Sequence, residues 1–230
     1  MKIEKHSIHL WQADLATLSP HEGAYFKLLS PDEAQRAERF HFPKDKKKFT
    51  LARGLLRSVL SRYVDIPPED IMFEYGPRGK PYLKDNREIQ FNISHSDELV
   101  VLGLILHDEV GVDIEKMSDH YKEGVAKRFF SESEFAELKK LSEKEQITAF
   151  YRLWAAKEAL IKAVGEGLYV PLGNFTVAFD QNPQQIELIH DEKKSKFFLE
   201  TFQPHSDYQG AFATQQEIKQ KMFFKPQDLM

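Results

Sequence analysis

Ser30-Pro31-Asp32-Glu33 and Ser131-Glu132-Ser133-Glu134 are two copies of one helix-start signal. In each, a serine at the N-cap is followed three residues later by a glutamate that can reach back to the serine amide, and in the first a proline takes the first helical position. Each signal leads to a second helix that carries a cation. Arg53 lies 23 residues after Ser30, and Lys157 lies 26 after Ser131. This echo predicts an α+β fold made of a pair of similar subdomains. The division is set at residues 1–106 and 107–230. No Pro/Gly/Ser-rich linker or low-complexity tract separates the halves, so they are expected to pack tightly.

Working outward, a helix is predicted from about Lys46 to Tyr63, with Phe49, Ala52, Leu56, Val59, Leu60 and Tyr63 on one face. Pro67-Pro68 prevents its continuation. Ile8 to Ala13 reads as a strand, and Phe91-Asn92-Ile93 with Leu99 to Leu106 reads as a hairpin around a polar turn, Ser94-His95-Ser96-Asp97. Gly111-Val112-Asp113-Ile114-Glu115 is a further short strand. A long helix is predicted from roughly Glu145 to Val164, ended by Gly165 and Gly167. Lys196 to Phe202 and Tyr208 to Thr214 suggest a second hairpin.

The 230 residues suffice for a buried core, and 41% apolar with 30% charged residues is a globular composition. The absence of cysteine excludes disulfides, thiolate metal sites and a cysteine nucleophile, and fits a reducing compartment. The first residues do not read as a secretory signal, and the longest apolar run, Leu99 to Leu106, is too short for a bilayer. A soluble cytoplasmic protein without a membrane partner is expected. A net charge of −4 argues against nucleic acid as partner. Between Arg36 and Arg62, however, nine Lys or Arg face only Glu38 and Asp45. That segment is either a solvated helix face or a cradle for a small polyanion.

Strand periodicity places Asp113 and Glu115 on one face, with Val112 and Ile114 on the other. Such a pair is either a solvent-facing edge or two ligands of a hard cation. On the long helix, Lys157 and Glu158 fall in or beside an apolar stripe through Phe150, Leu153, Trp154, Leu160, Ile161 and Val164. A charge there is costly unless paired or used. Glu158 and Lys162 are spaced for a helical ion pair, the competing explanation. His95 and Ser94 lie in a turn suited to capping or to a phosphate oxygen. Gly79-Lys80-Pro81 is a loop through which an anionic ligand could approach the backbone. Together these residues define a metal–phosphate site built on Asp113, Glu115 and Glu158, backed by Lys157 and Lys162.

Four stretches in order, Gly79-Lys80-Pro81, Phe91 to Ser96, Gly111 to Glu115 and Trp154 to Lys162, resemble the broad-specificity 4′-phosphopantetheinyl transferases. The likeness extends over Ala52-Arg53 to Arg57, over Arg128 to Ser131, and to about residue 214. It implies transfer of the phosphopantetheine arm of coenzyme A to a serine of an apo acyl or peptidyl carrier protein, with release of adenosine 3′,5′-bisphosphate. It implies Mg2+ held by Asp113, Glu115 and Glu158, with Mn2+ equally open because both ions accept oxygen ligands. It also implies a pseudo-dimer of two α+β subdomains with one site at the cleft between them, able to act as a monomer. Glu158 would draw off the serine proton and Lys162 would stabilise the leaving phosphate, with His95 and Lys157 on the pyrophosphate. Arg53, Arg36, Lys48 and Lys80 would serve the 3′-phosphate and adenine end, with Gly79, Pro81 and Ser94 lining the coenzyme. Glu134 matches a family carboxylate near the cleft. One departure stands out: Asp32, Glu33 and Gln35 replace lysine of some members at the start of the first capped helix. Another Mg2+-dependent phosphate-transfer enzyme and an inactive binding module are the alternatives.

Overall fold

The computed structural model describes residues 1–229, apart from the side chain of Asp228. The strands are β1 (Ser7–Asp14), β2 (Phe73–Tyr75), β3 (Pro81–Leu83), β4 (Ile89–Ser96), β5 (Leu99–Leu106), β6 (Val110–Lys116), β7 (Gln184–His190), β8 (Lys193–Phe202), β9 (Tyr208–Thr214) and β10 (Gln220–Phe224). The α-helices are α1 (Leu15–Leu18), α2 (Glu22–Lys27), α3 (Pro31–Glu38), α4 (Pro43–Val64), α5 (Glu123–Phe129), α6 (Glu132–Lys140) and α7 (Glu143–Val164).

Two four-stranded sheets carry the fold, ordered β10-β1-β5-β4 and β6-β9-β8-β7. Each is covered by one 22-residue helix, α4 on the first and α7 on the second. The period of two along the strands sorts the core. On β5, Val100, Leu102 and Leu104 face α4, whereas Leu99, Val101 and Ile105 meet Val110, Val112 and Ile114 of β6. The result is a layered α/β/β/α body, the expected pair of α+β halves.

Both short capped helices form as the serine–glutamate spacing predicts. Glu33 Oε2 accepts from Ser30 N–H at 3.1 Å, and Glu134 Oε2 from Ser131 N–H at 2.6 Å. The two glutamates then do a second task alike. Glu33 is ion-paired with Arg57 at 2.6 Å and Arg53 at 2.9 Å, and Glu134 with Lys157 at 2.8 Å. In each half, one carboxylate both starts a short helix and neutralises the buried cations of the long helix.

Several boundaries differ from expectation. The first long helix begins at Pro43 and ends at Asp65, whose left-handed conformation (φ 53°) precedes Pro67. The second begins at Glu143, where Ser142 and Glu145 form a third capping box. The hairpin turn is Asp97-Glu98 alone, so Ser94, His95 and Ser96 lie on β4 rather than in a turn. Strand β10 leaves the second half and pairs in parallel with β1, so a division at 106/107 counts with the second half a strand that lies in the sheet of the first. It is held by an aromatic knot: Phe224 stacks on Trp11 at 4.8 Å and lies 5.0 Å from His9, while Tyr63 of α4 accepts from Trp11 Nε1 at 2.9 Å and contacts His9 Nδ1 at 2.8 Å.

Candidate active site

Where β4, β6 and α7 meet, a cavity of about 470 Å³ is lined by Ile93, Ser94, His95, Asp113, Ile114, Glu115, Trp154, Glu158 and Lys162. The periodicity argument holds: Asp113 and Glu115 share a face of β6 while Val112 and Ile114 are buried on the other. That face is turned to α7 rather than to solvent, and Asp113 is 4% exposed. Helix α7 comes this close because Gly111 has no side chain. A Cβ there would lie 2.0 Å from Ala159 O and 2.3 Å from Ala163 N. The approach delivers Lys162 Nζ to Asp113 Oδ1 at 2.5 Å and to Ser94 Oγ at 3.1 Å. Lys162 thus pairs with Asp113, and the competing helical ion pair with Glu158 does not form.

Too little positive charge reaches these acids. Burial pushes the Asp113 carboxyl up, against the pull of Lys162. Burial and the charge of Asp113 push Glu115 up to about 7 and raise Glu158 as well. The Trp154 indole and the Ser96 hydroxyl oppose the shift at Glu115. Asp113 Oδ2 is buried without a hydrogen-bond partner. An orphaned carboxylate oxygen and three destabilised acids opening on one cavity are the donor chemistry that a hard divalent cation takes. Among the described residues no three His, Asp or Glu side chains are grouped closely enough to hold a metal ion by themselves. An open arrangement of this kind suits an ion that completes its shell with water and phosphate oxygens.

A second cavity of about 440 Å³ adjoins the first and shares Ile93 and His95 with it. Its lining includes Arg36, Lys48, Phe49, Arg53, Tyr75, Gly79 and Pro81. Arg36 lies over the Phe49 ring at 5.2 Å. Arg53, 8% exposed, donates from Nη2 to Tyr75 at 2.8 Å. Lys48 is tied to Glu98 at 2.8 Å and to the Asp97 carbonyl, also at 2.8 Å. Partial burial and the charges of Lys162 and Lys48 hold the His95 imidazole below its ordinary pKa.

Three expected cleft residues stand elsewhere. Lys157 is fully buried, and its three protons meet Glu134 at 2.8 Å, Leu172 O at 2.7 Å and Phe175 O at 2.8 Å. An ammonium has three donors, so none is left for a phosphate. Glu134 likewise faces the core of the second half, accepting from Val177 N–H at 2.7 Å, and not the cleft. Lys80 turns away to Glu109 at 2.6 Å and Ala163 O at 3.1 Å, leaving only its neighbours Gly79 and Pro81 on the cavity wall. The hydroxyl of Ser94 faces the cavity but is spent on Asp113 at 2.8 Å and the Ile114 amide at 3.4 Å. The departure at Glu33 has its reason: this side chain is 2% exposed and serves Arg53 and Arg57. Tyr75, Trp154 and Gly111 were not singled out for the site; only the close spacing of small residues on α7, Ala155, Ala156, Ala159 and Ala163, hinted at a near approach.

Residues 109–213 match the family model described as the 4′-phosphopantetheinyl transferase superfamily, and residues 11–105 match 4′-phosphopantetheinyl transferase, N-terminal. The 4′-phosphopantetheinyl transferase Sfp of Bacillus subtilis is 36% identical over 81% of this chain and 82% of its own. HetI of Nostoc, likewise a 4′-phosphopantetheinyl transferase, is 36% identical over 70% of each chain. The gsp protein of Aneurinibacillus migulanus, of the same description, is 36% identical over 72% of this chain and 68% of its own. By class, then, the protein is a transferase. It belongs to the 4′-phosphopantetheinyl transferase superfamily.

Proposed function

We propose that the chain transfers the 4′-phosphopantetheine group of coenzyme A to a serine hydroxyl of an apo acyl or peptidyl carrier protein, with Mg2+ as the physiological ion, and releases adenosine 3′,5′-bisphosphate. One observation carries the reading beyond family membership: a cavity of three carboxylates and a lysine runs directly into a cavity of cations and aromatic rings, with His95 at their boundary. That sequence of surfaces matches a pyrophosphate followed by a phosphorylated adenosine.

In this reading Asp113, Glu115 and Glu158 hold the ion, whose charge offsets that of the pyrophosphate and of the transition state. Glu158, beside the ion, takes the proton of the attacking serine hydroxyl, directly or through water. The serine oxygen forms its bond to the phosphorus next to pantetheine as the bond to the bridging oxygen breaks. Lys162, which lines the cavity beside Asp113, donates to the departing phosphate, and His95 offers a ring N–H. Arg53 and Arg36 receive the 3′-phosphate, with Lys48 beside them, and the backbone at Gly79 and Pro81 lies against the adenine. Both halves contribute to the cleft, so a monomer is sufficient, and residues 1–106 and 107–230 act as two subdomains with β10 lent to the first. A cytoplasmic location is proposed on the cysteine-free composition. Incubation with an apo carrier protein, coenzyme A and Mg2+ should add the mass of one phosphopantetheine group to the carrier. No mass gain with any of several carriers overturns the reading.

A further inference from the structure

Strands β4 and β6 lie side by side at the junction of the sheets, yet the backbone ladders stop there: β4 pairs with β5 and β6 with β9. The β6 amides that face β4 are taken by side chains instead. Asn92 Oδ1 accepts from Val112 N–H at 3.0 Å, Ser94 Oγ from Ile114 N–H at 3.4 Å, and Ser96 Oγ from Lys116 N–H at 3.1 Å. Acceptors advance by two along β4 and donors by two along β6, the pleat period on both. Two of the rungs also carry a carboxylate. Ser94 donates to Asp113 Oδ1 at 2.8 Å, and Ser96 donates to Glu115 Oε2 at 3.3 Å. Each serine therefore ties one amide of β6 to the acid just before it. At the Asn92 rung the preceding residue is Gly111, which has no side chain to hold.

We propose that Asn92 and Ser96, with Ser94 between them, are positioning residues of the transfer reaction: a ladder of side chains that sets β6 against β4 and so sets the depth at which Asp113 and Glu115 enter the cleft. The proposal rests on the reading of that cleft as the transfer site. Its physical basis is register. The ladder to β9 fixes which face of β6 carries the two acids, but no backbone ladder fixes β6 against β4. Without the three rungs the strands can shift along that seam, which moves Asp113 and Glu115 relative to Ser94 and His95.

Ser96 is half-buried at the end of its strand, so Ser96→Ala is expected to fold, and Ser96→Thr keeps the hydroxyl on a side chain suited to a strand. On the full chain with coenzyme A, Mg2+ and an apo carrier protein, Ser96→Ala should lower kcat about tenfold while the KM for coenzyme A stays within about twofold. Ser96→Thr should restore kcat. Hydrogen exchange supplies a readout independent of turnover: the Lys116 amide should exchange faster in Ser96→Ala, and the Val112 amide faster in Asn92→Ala. Wild-type kcat in Ser96→Ala, equal loss in the threonine variant, or unchanged exchange at both amides overturns the positioning role alone. A wild type that transfers nothing overturns the reading of the cleft and the positioning role with it.

Discussion

Glu134 and Lys157 stand 2.8 Å apart with both side chains closed off from water. Burial pulls the Lys157 pKa down, and the neighbouring Glu134 charge opposes it. Removing one partner of such a pair leaves an uncompensated buried charge, so Lys157→Met should destabilise the protein by about 3–5 kcal/mol. The double variant Lys157→Met/Glu134→Gln should recover part of that loss. Turnover per folded molecule should be retained. A kcat loss without a stability loss in denaturant titrations would return Lys157 to the cleft.

Lys162 plays the opposite part, since it lines the acid cavity and meets Asp113 directly. Lys162→Met should reduce kcat by roughly 10²–10³-fold, the usual effect of removing one charge-stabilising donor. The KM for coenzyme A should change less than kcat. Steady-state kinetics with a saturating carrier protein separates the two.

Arg53 has two anchors, Glu33 at 2.9 Å and Tyr75 at 2.8 Å, at the wall of the second cavity. Arg53→Ala should raise the KM for coenzyme A roughly 10–100-fold, the equivalent of one charge-assisted hydrogen bond, and lower kcat less. Tyr75→Phe should act in the same direction and more weakly. An unchanged KM in Arg53→Ala would remove this residue from the site.

At Gly111 even one methyl group would collide with the α7 backbone at Ala159 and Ala163. Gly111→Ala should cost about 1–3 kcal/mol as overpacking. It should also push Lys162 away from Asp113, so activity should fall by more than the folded fraction does. Circular dichroism melts alongside turnover measurements at a temperature below the transition test both effects.

His9 is 2% exposed, and its pKa is lowered to about 4, first by burial and then by the charge of the N-terminus. Between about 4 and the ordinary 6.5 the unfolded chain binds a proton there that the folded chain does not. Its contribution to stability is therefore complete above pH 6.5 and is lost as pH falls toward 4. His9→Gln, which keeps a hydrogen-bonding side chain beside Tyr63, should show a shallower fall in melting temperature over that window. Identical slopes for the two proteins would refute the assignment.

The acids were legible because periodicity is a local property: Asp113 and Glu115 two apart on a strand, Glu158 beside an apolar helical stripe, and glutamates three after serines. Lys157 and Glu158 carried the same signal, a charge where apolar residues belong, and local pattern cannot say which one faces a cleft. The answer lies in the Leu172 and Phe175 carbonyls, supplied by a loop that periodicity does not place. Lys80 misled for the same reason, since its partners Glu109 and Ala163 are distant in sequence. The rungs at Ser94 and Ser96 read locally as turn residues, because their task appears only where two sheet edges meet. Strand β10 lies beyond the last hairpin that periodicity predicts and depends on β1 for its pairing.

That last pairing bears on how the chain matures. The first sheet has β10 as its outer strand, and β10 is synthesised after the whole of the second half. Until then the edge of β1 stays open, with Trp11 and His9 lacking the Phe224 ring against them. An open edge is a site for wrong pairing. The amino-terminal half is therefore the last to be completed on the ribosome although it is the first to emerge, and shortening the chain before residue 220 should expose aggregation in the half that was left intact.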